Sequence, residues 1–277
     1  MDLEGAMNRI PQEVISRPVV ATGRGGSGTR LLSLALQEHD LFLGNLLNES
    51  EDSVEWVDLI YELAVKKLTH LLPPTAHWQQ ELTACAIDIL AKGQWRPTQS
   101  WGWKLPETML ILPEVAHAFS DAQIIHLIRH PIDTCLRRTH VTSRMDNRVG
   151  TATLKAAYEE LHWDRDPGED ADYLRNAASW VYQVSRVMHF GRRLGRRRYL
   201  EIKYEDVCTN PQAASDMIAA FLGKPAVTTG LAQVIDTTRR RQWDKGDERT
   251  AEVWAICEKT ATALGYRFPD SNHLDGA

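Results

Sequence analysis

Short, wholly apolar runs alternate along the chain with longer segments whose apolar positions recur at helical spacing. Arg17-Pro-Val-Val-Ala-Thr-Gly23 is a short run that stops at glycine, and a helix follows from about Thr29 to Glu38. Gln123-Ile-Ile-His-Leu-Ile128 is a second such run, ended by Arg-His-Pro. Brief apolar runs bounded by turn residues read as buried strands. The aromatic Trp101-Gly-Trp-Lys104 and the alternating Arg198-Tyr-Leu-Glu-Ile-Lys203 add two more. Helical spacing covers about 54–71, 79–91, 107–119, 132–145, 151–162 and 172–194. Two last helices, Pro211–Leu222 and Glu248–Leu264, stop at Gly223 and Gly265, where glycine ends helices cheaply. Strands separated by helices pair in parallel through right-handed crossovers. The prediction is therefore an α/β fold, a mainly parallel sheet flanked by helices. It forms a single domain over 1–277, with its core at about 17–265 and short flexible termini.

Composition narrows the function classes. With 277 residues, 43% hydrophobic and 25% charged, the chain is neither a disordered segment nor a small disulfide scaffold. A net charge of -5 disfavours a global grip on nucleic acid. No apolar run approaches the ~20 residues that cross a bilayer, and the acidic MDLEGAMNRIPQEV start lacks a signal-peptide core. Cys85, Cys135, Cys208 and Cys257 are scattered, with no metal-binding spacing. These features predict a cytoplasmic protein with reduced thiols, no metal and no membrane or nucleic-acid partner. One skew remains. Of 32 basic residues 23 are Arg, clustered at 192–198 and 239–241, which keeps a local anionic ligand in view.

Ligands of parallel sheets collect at the carboxyl ends of the strands, and three ends here are chemically loaded. Gly23-Arg-Gly-Gly-Ser-Gly-Thr-Arg30 follows the first strand and opens a helix, the arrangement that cradles an anion with backbone N–H groups. It departs from the Walker A loop, because Thr29 stands where Lys belongs and Arg30 where the magnesium-binding hydroxyl belongs. Arg129-His-Pro-Ile-Asp133 ends the second buried strand, with Arg137 one helical turn beyond Asp133. Lys203-Tyr-Glu-Asp206, then Asn210-Pro211, follows the last strand.

Together these motifs resemble the sulfotransferase superfamily, which uses 3′-phosphoadenosine 5′-phosphosulfate (PAPS) and releases PAP. Ser27-Gly28-Thr29 resembles the family's 5′-phosphosulfate loop, Arg129-His-Pro-Ile-Asp133 its 3′-phosphate motif, and Tyr204-Glu-Asp206 with Asn210-Pro211 its late segment. The resemblance spans about residues 17–265 and implies a three-layer, P-loop NTPase-like sulfotransferase fold. It implies metal-independent transfer of a sulfuryl group to a hydroxyl or amine of a small metabolite or glycan, with peptidyl tyrosine and a homodimer left open. The implied donor site comprises Arg24, Gly25, Gly26, Ser27, Gly28, Thr29, Arg30, Arg129, Arg137, Tyr204 and the late Arg239-Arg240-Arg241. Gly26 occupies the place of a family Lys or Arg, so Arg24 or Arg30 takes over that contact. Lys104 and Arg24 would neutralise charge on the leaving oxygen, and Asp52 or Glu49 would deprotonate the acceptor. Trp101, Trp103, Trp180 and Trp243 are read first as core. A P-loop nucleotide kinase or NTPase-like protein, and a catalytically inactive nucleotide-binding scaffold, remain as alternatives.

Overall fold

Strand β1 (Val19–Thr22) buries all four of its side chains and lies at the centre of a five-stranded, all-parallel sheet. The computed structural model describes residues 10–236 and 246–268. The sheet runs β2 (Leu41–Phe42), β3 (Ser100–Lys104), β1, β4 (Gln123–Ile128), β5 (Tyr199–Lys203). Register sets Ala21 opposite Lys104 on one side and Thr22 opposite His126 on the other. Ile128 lies opposite Lys203. The carboxyl ends of β3, β1, β4 and β5 all point to one edge, with β4 and β5 running two residues past the end of β1, and whatever follows them shares that edge.

Twelve α-helices are described around the sheet: α1 (Gln12–Ile15), α2 (Arg30–Glu38), α3 (Val57–Leu68), α4 (Thr75–Lys92), α5 (Leu112–Ala118), α6 (Pro131–Cys135), α7 (Arg148–Glu160), α8 (Asp172–Leu194), α9 (Tyr204–Thr209), α10 (Pro211–Leu222), α11 (Leu231–Val234) and α12 (Glu248–Ala263). Successive side chains of a strand face opposite ways, which splits β1 and β4 between two cores. Val19, Ala21, Ile125 and Leu127 pack with Leu32, Ala35 and Leu36 of α2 and Ile218 of α10. Val20, Ile124 and Ile128 pack with α3, α4, α7, α8 and α12 on the other face. Three layers result. The tryptophans of β3 belong to this second core: Trp103 stacks on Trp56 at 4.2 Å and meets Phe119 edge-on. Trp180 is fully buried in it as well.

The chain departs from the predicted elements in instructive places. The helix expected over 132–145 stops at Cys135. The Asn176 amide of α8 donates to the Cys135 carbonyl at 2.9 Å and to that of Arg138 at 3.4 Å. It takes an acceptor that the next helical turn would need, so the chain turns away and re-forms as a 3₁₀ turn at Val141–Ser143. The helix expected over 107–119 begins with a 3₁₀ stretch, Pro106–Ile111. The edge strand β2 has two residues, too few for a periodic signal.

Candidate active site

The loop after β1 curls over a buried guanidinium. Gly26 and Gly28 have φ of +94° and +87°, conformations that a side chain resists. They let the chain wind from β1 into α2, whose first N–H groups have no intrahelical acceptor. Arg24 does not reach outward from this loop. Its side chain folds beneath it and is fully buried. It donates to the Gly25 carbonyl at 2.9 Å, to Ser143 Oγ at 2.7 Å and to Asn176 Oδ1 at 2.7 Å. All three acceptors are neutral, and among the described residues no carboxylate pairs with Arg24. Burial pulls its pKa down. Ser27 Oγ is buried and has no hydrogen-bond partner among the described residues. Buried cations are ordinarily paired and buried hydroxyls bonded, so both groups fit an anion seated on the loop. Thr29 is buried beside them, and Arg30, the first residue of α2, is exposed.

Beside the loop lies a second basic group. The Arg129 guanidinium, buried just past β4, lies 4.4 Å over the Tyr204 ring and 3.4 Å from Asp133 Oδ2. Tyr204 in turn presses on the loop, since a Cβ on Gly28 would meet its ring at 2.4 Å. Burial pushes the Tyr204 phenol up to about 12, while the charges of Arg129 and Arg137 oppose that shift. Arg137 is therefore close, but it stands exposed on the turn after α6, rather than on a helix. The next residue, Glu205, accepts from the His130 backbone N–H at 2.9 Å and from the Tyr266 hydroxyl at 2.9 Å. Glu205 thus pins the Arg129 segment to the end of β5. Arg239, Arg240, Arg241 and Trp243 lie outside the described residues.

On the other side, Lys104 ends β3 with its side chain buried. Its ammonium donates to Asp52 Oδ1 at 2.5 Å and to the Ser50 carbonyl at 2.6 Å. Burial lowers the lysine pKa, and the Asp52 charge works against that. The polar stretch earns its place geometrically. Asn48 Oδ1 accepts from the Asp52 N–H at 2.9 Å, and Ser53 Oγ accepts from the Lys104 N–H at 3.0 Å, fastening the turn to β3. Glu49 is exposed on that turn.

Three further groups join this end of the site, and sequence reasoning missed them. Glu107 is buried three residues past Lys104, and burial pushes its carboxyl up to about 7. Tyr61 of α3 is half-buried on the same side, and burial first and the Glu107 charge second push its phenol up. His140 Nε2 lies 3.3 Å from Glu107 Oε1, and its ring packs where a Cβ of Gly25 would be. Burial and the charges of Arg24 and Arg138 keep His140 well below the usual histidine range. The available signal was the placement of a glutamate on an otherwise apolar turn beside Lys104.

Residues 18–228 match the model of a group described as the Sulfotransferase family. The chain belongs to that family. A comparison with curated proteins gives no significant match. Among solved structures, the chain is similar to the sulfotransferase domain from the curacin biosynthetic pathway (TM-score 0.53, 16% identity, covering 91% of this chain and 98% of that one). It is also similar to a sulfotransferase from Mycobacterium avium (TM-score 0.56, 12% identity, 96% and 82% covered). A third likeness is to a sulfotransferase from Alicyclobacillus acidocaldarius (TM-score 0.52, 14% identity, 91% and 97% covered). At these identities the likenesses establish the sulfotransferase fold. Within it, no described helix is long and apolar enough to cross a membrane, and no described cluster of side chains forms a metal site.

Proposed function

We propose that this sulfotransferase moves the sulfuryl group of PAPS to a hydroxyl or amine of a small-molecule or glycan acceptor and releases PAP. One observation carries the reading: the buried Arg24 charge has no carboxylate partner among the described residues, and it lies directly under a glycine loop at a helix N-terminus. The loop N–H groups, Ser27 and the Arg24 charge would hold the 5′-phosphosulfate. Arg129, with Arg137 beside it, would hold the 3′-phosphate, because β1 and β4 are neighbouring parallel strands whose ends open on the same edge. Without the Walker lysine and hydroxyl, a nucleoside triphosphate with magnesium loses its clamp and its metal ligand together.

Transfer aligns the acceptor oxygen, sulfur and leaving phosphate oxygen, and negative charge grows on the last of these. Lys104 extends from the strand neighbouring the loop and is oriented by Asp52 and Ser50, so its ammonium is preorganised to meet that charge. Asp52 thus positions the lysine, while Glu49 borders the same turn from the solvent side. Incubation with PAPS and a panel of phenols, alcohols, amines and glycans, followed by mass spectrometry, tests the proposal. A sulfate added to one acceptor class, with stoichiometric PAP, is expected. PAPS left intact across the panel, despite PAP binding, would favour the inactive scaffold.

A further inference from the structure

Arg129 is held from both sides along its own backbone. The carbonyl just before it, that of Ile128, accepts from the Tyr266 hydroxyl at 3.2 Å. The N–H just after it, that of His130, donates to Glu205 Oε1 at 2.9 Å. The circuit closes because the same Tyr266 hydroxyl donates to the other carboxylate oxygen, Oε2, at 2.9 Å. Its one proton is shared between two acceptors in a three-centre bond. Tyr266 is buried, and burial followed by the Glu205 charge pushes its phenol well above the usual range, so it stays a donor.

A turn at the end of α12 delivers Tyr266 to this place. Gly265 follows the helix with φ of +76°, its N–H on the Thr262 carbonyl and the Tyr266 N–H on that of Ala261, both at 2.9 Å. This pair of bonds closes a helix and reverses the chain, which brings Tyr266 and Arg267 back against the end of β4. The His130 ring is received there. It stands edge-on to Tyr266 at 5.2 Å and lies against Trp254 at 5.8 Å, and its Nε2 donates to the Arg267 carbonyl at 3.2 Å. Packing alone would be served by a phenylalanine at 266. The hydroxyl adds the tie to both Ile128 and Glu205. The residues matched to the family end at 228, so this tie comes from chain beyond them.

We infer that Tyr266 is a positioning residue for Arg129 and thereby sets the preference for a nucleotide that carries a 3′-phosphate. This rests on the PAPS reading above. A planar guanidinium reads phosphate through paired bonds of fixed geometry, so its affinity depends on where its backbone is anchored. The Tyr204 ring already fixes one face of the Arg129 side chain. The Tyr266–Glu205 circuit fixes the peptide groups on either side of its Cα. The ordering of Arg129 is then complete before the nucleotide arrives, which removes part of the cost of binding. Adenosine 5′-phosphate offers Arg129 no 3′-phosphate, so its binding should be indifferent to the circuit.

The test is calorimetric titration of PAP and of adenosine 5′-phosphate into the full chain and into Tyr266→Phe. That substitution keeps the ring and changes no charge, so long-range field effects drop out. PAP should bind ~5–10-fold more weakly, and adenosine 5′-phosphate within ~2-fold of the unaltered protein. In turnover the loss should fall on KM for PAPS, with kcat lowered less than ~3-fold. Glu205→Gln should keep most of the PAP affinity, because its amide can still accept from His130 and donate to the Tyr266 oxygen. Glu205→Ala should lose about as much as Tyr266→Phe, and combining the two should cost little more, since both break one circuit. If Tyr266→Phe does not fold, the Glu205→Gln and Glu205→Ala pair carries the same comparison. A folded Tyr266→Phe that binds PAP as tightly as the unaltered protein, or loses both nucleotides by the same factor, would overturn the assignment. An unaltered protein that binds PAP no more tightly than adenosine 5′-phosphate would instead overturn the 3′-phosphate reading on which it rests.

Discussion

Replacing Arg24 by methionine removes a buried charge while keeping much of its apolar stem. In the folded protein without ligand, two effects oppose each other. Hydrogen bonds to Gly25, Ser143 and Asn176 are lost, but a desolvated cation with only neutral acceptors is lost as well. The melting temperature should therefore move by only a few degrees. Anion binding should suffer far more. Arg24 Nη1 stands 3.9 Å from where a Cβ on Gly26 would be, so an anion on the outer face of the loop lies roughly 6 Å from the charge. At an effective dielectric of ~20 that attraction is about 2.8 kcal/mol per unit charge, or a loss of ~100-fold in affinity. Calorimetric titration of PAP into Arg24→Met measures it. Arg24→Lys, which keeps the charge but loses the fork, should recover part of the affinity. A folded Arg24→Met protein that binds PAP within threefold of the unaltered one would show that the buried charge does not serve an anion.

Other perturbations test the rest of the site. Lys104→Ala should lower turnover by ~10²-fold or more and change PAP affinity much less, because the ammonium meets charge that develops only during transfer; near-normal turnover would remove Lys104 from the reaction. Arg129→Ala should weaken PAP strongly and adenosine 5′-phosphate hardly at all, with Arg137→Ser costing less affinity than Arg137→Glu. Equal losses for both nucleotides would detach Arg129 from the 3′-phosphate. His126, buried against the Tyr199 hydroxyl at 2.8 Å, is pushed down to about 3. The unfolded chain takes up that proton first, so stability should be full above about pH 6.5 and fall toward pH 3 by ~1.4 kcal/mol per unit. Denaturant melts of His126→Gln should show a flatter acid limb than the unaltered protein.

The strand ends were legible because apolar runs of four to six residues that stop at glycine or Arg-His-Pro have few other ways to be buried. Their parallel order followed from the helices between them. Side-chain direction was not legible. Arg24 reads as a loop cation free to swing outward, yet its partners Ser143 and Asn176 lie 119 and 152 residues away. Those long-range contacts decide that it braces the loop from below. The same Asn176 ends α6 at Cys135, which no local pattern around 132–145 reveals. Glu107 was hidden for a related reason. Helical spacing places it in an ordinary first turn, whereas it is buried in a 3₁₀ stretch opened by Pro106, with His140 Nε2 3.3 Å away. The tryptophans of β3 match their reading as core, forming an aromatic cluster with Trp56.

On the proposed function, the glycine loop and Arg129 together read a phosphoadenosine carrying a 3′-phosphate without a metal. Isothermal titration of PAP in the presence of a chelator, set against ATP with magnesium, tests it most directly. Saturable one-to-one binding of PAP with no divalent ion is expected, with an affinity for ATP–magnesium weaker by tenfold or more. Equal or tighter binding of ATP–magnesium would contradict it.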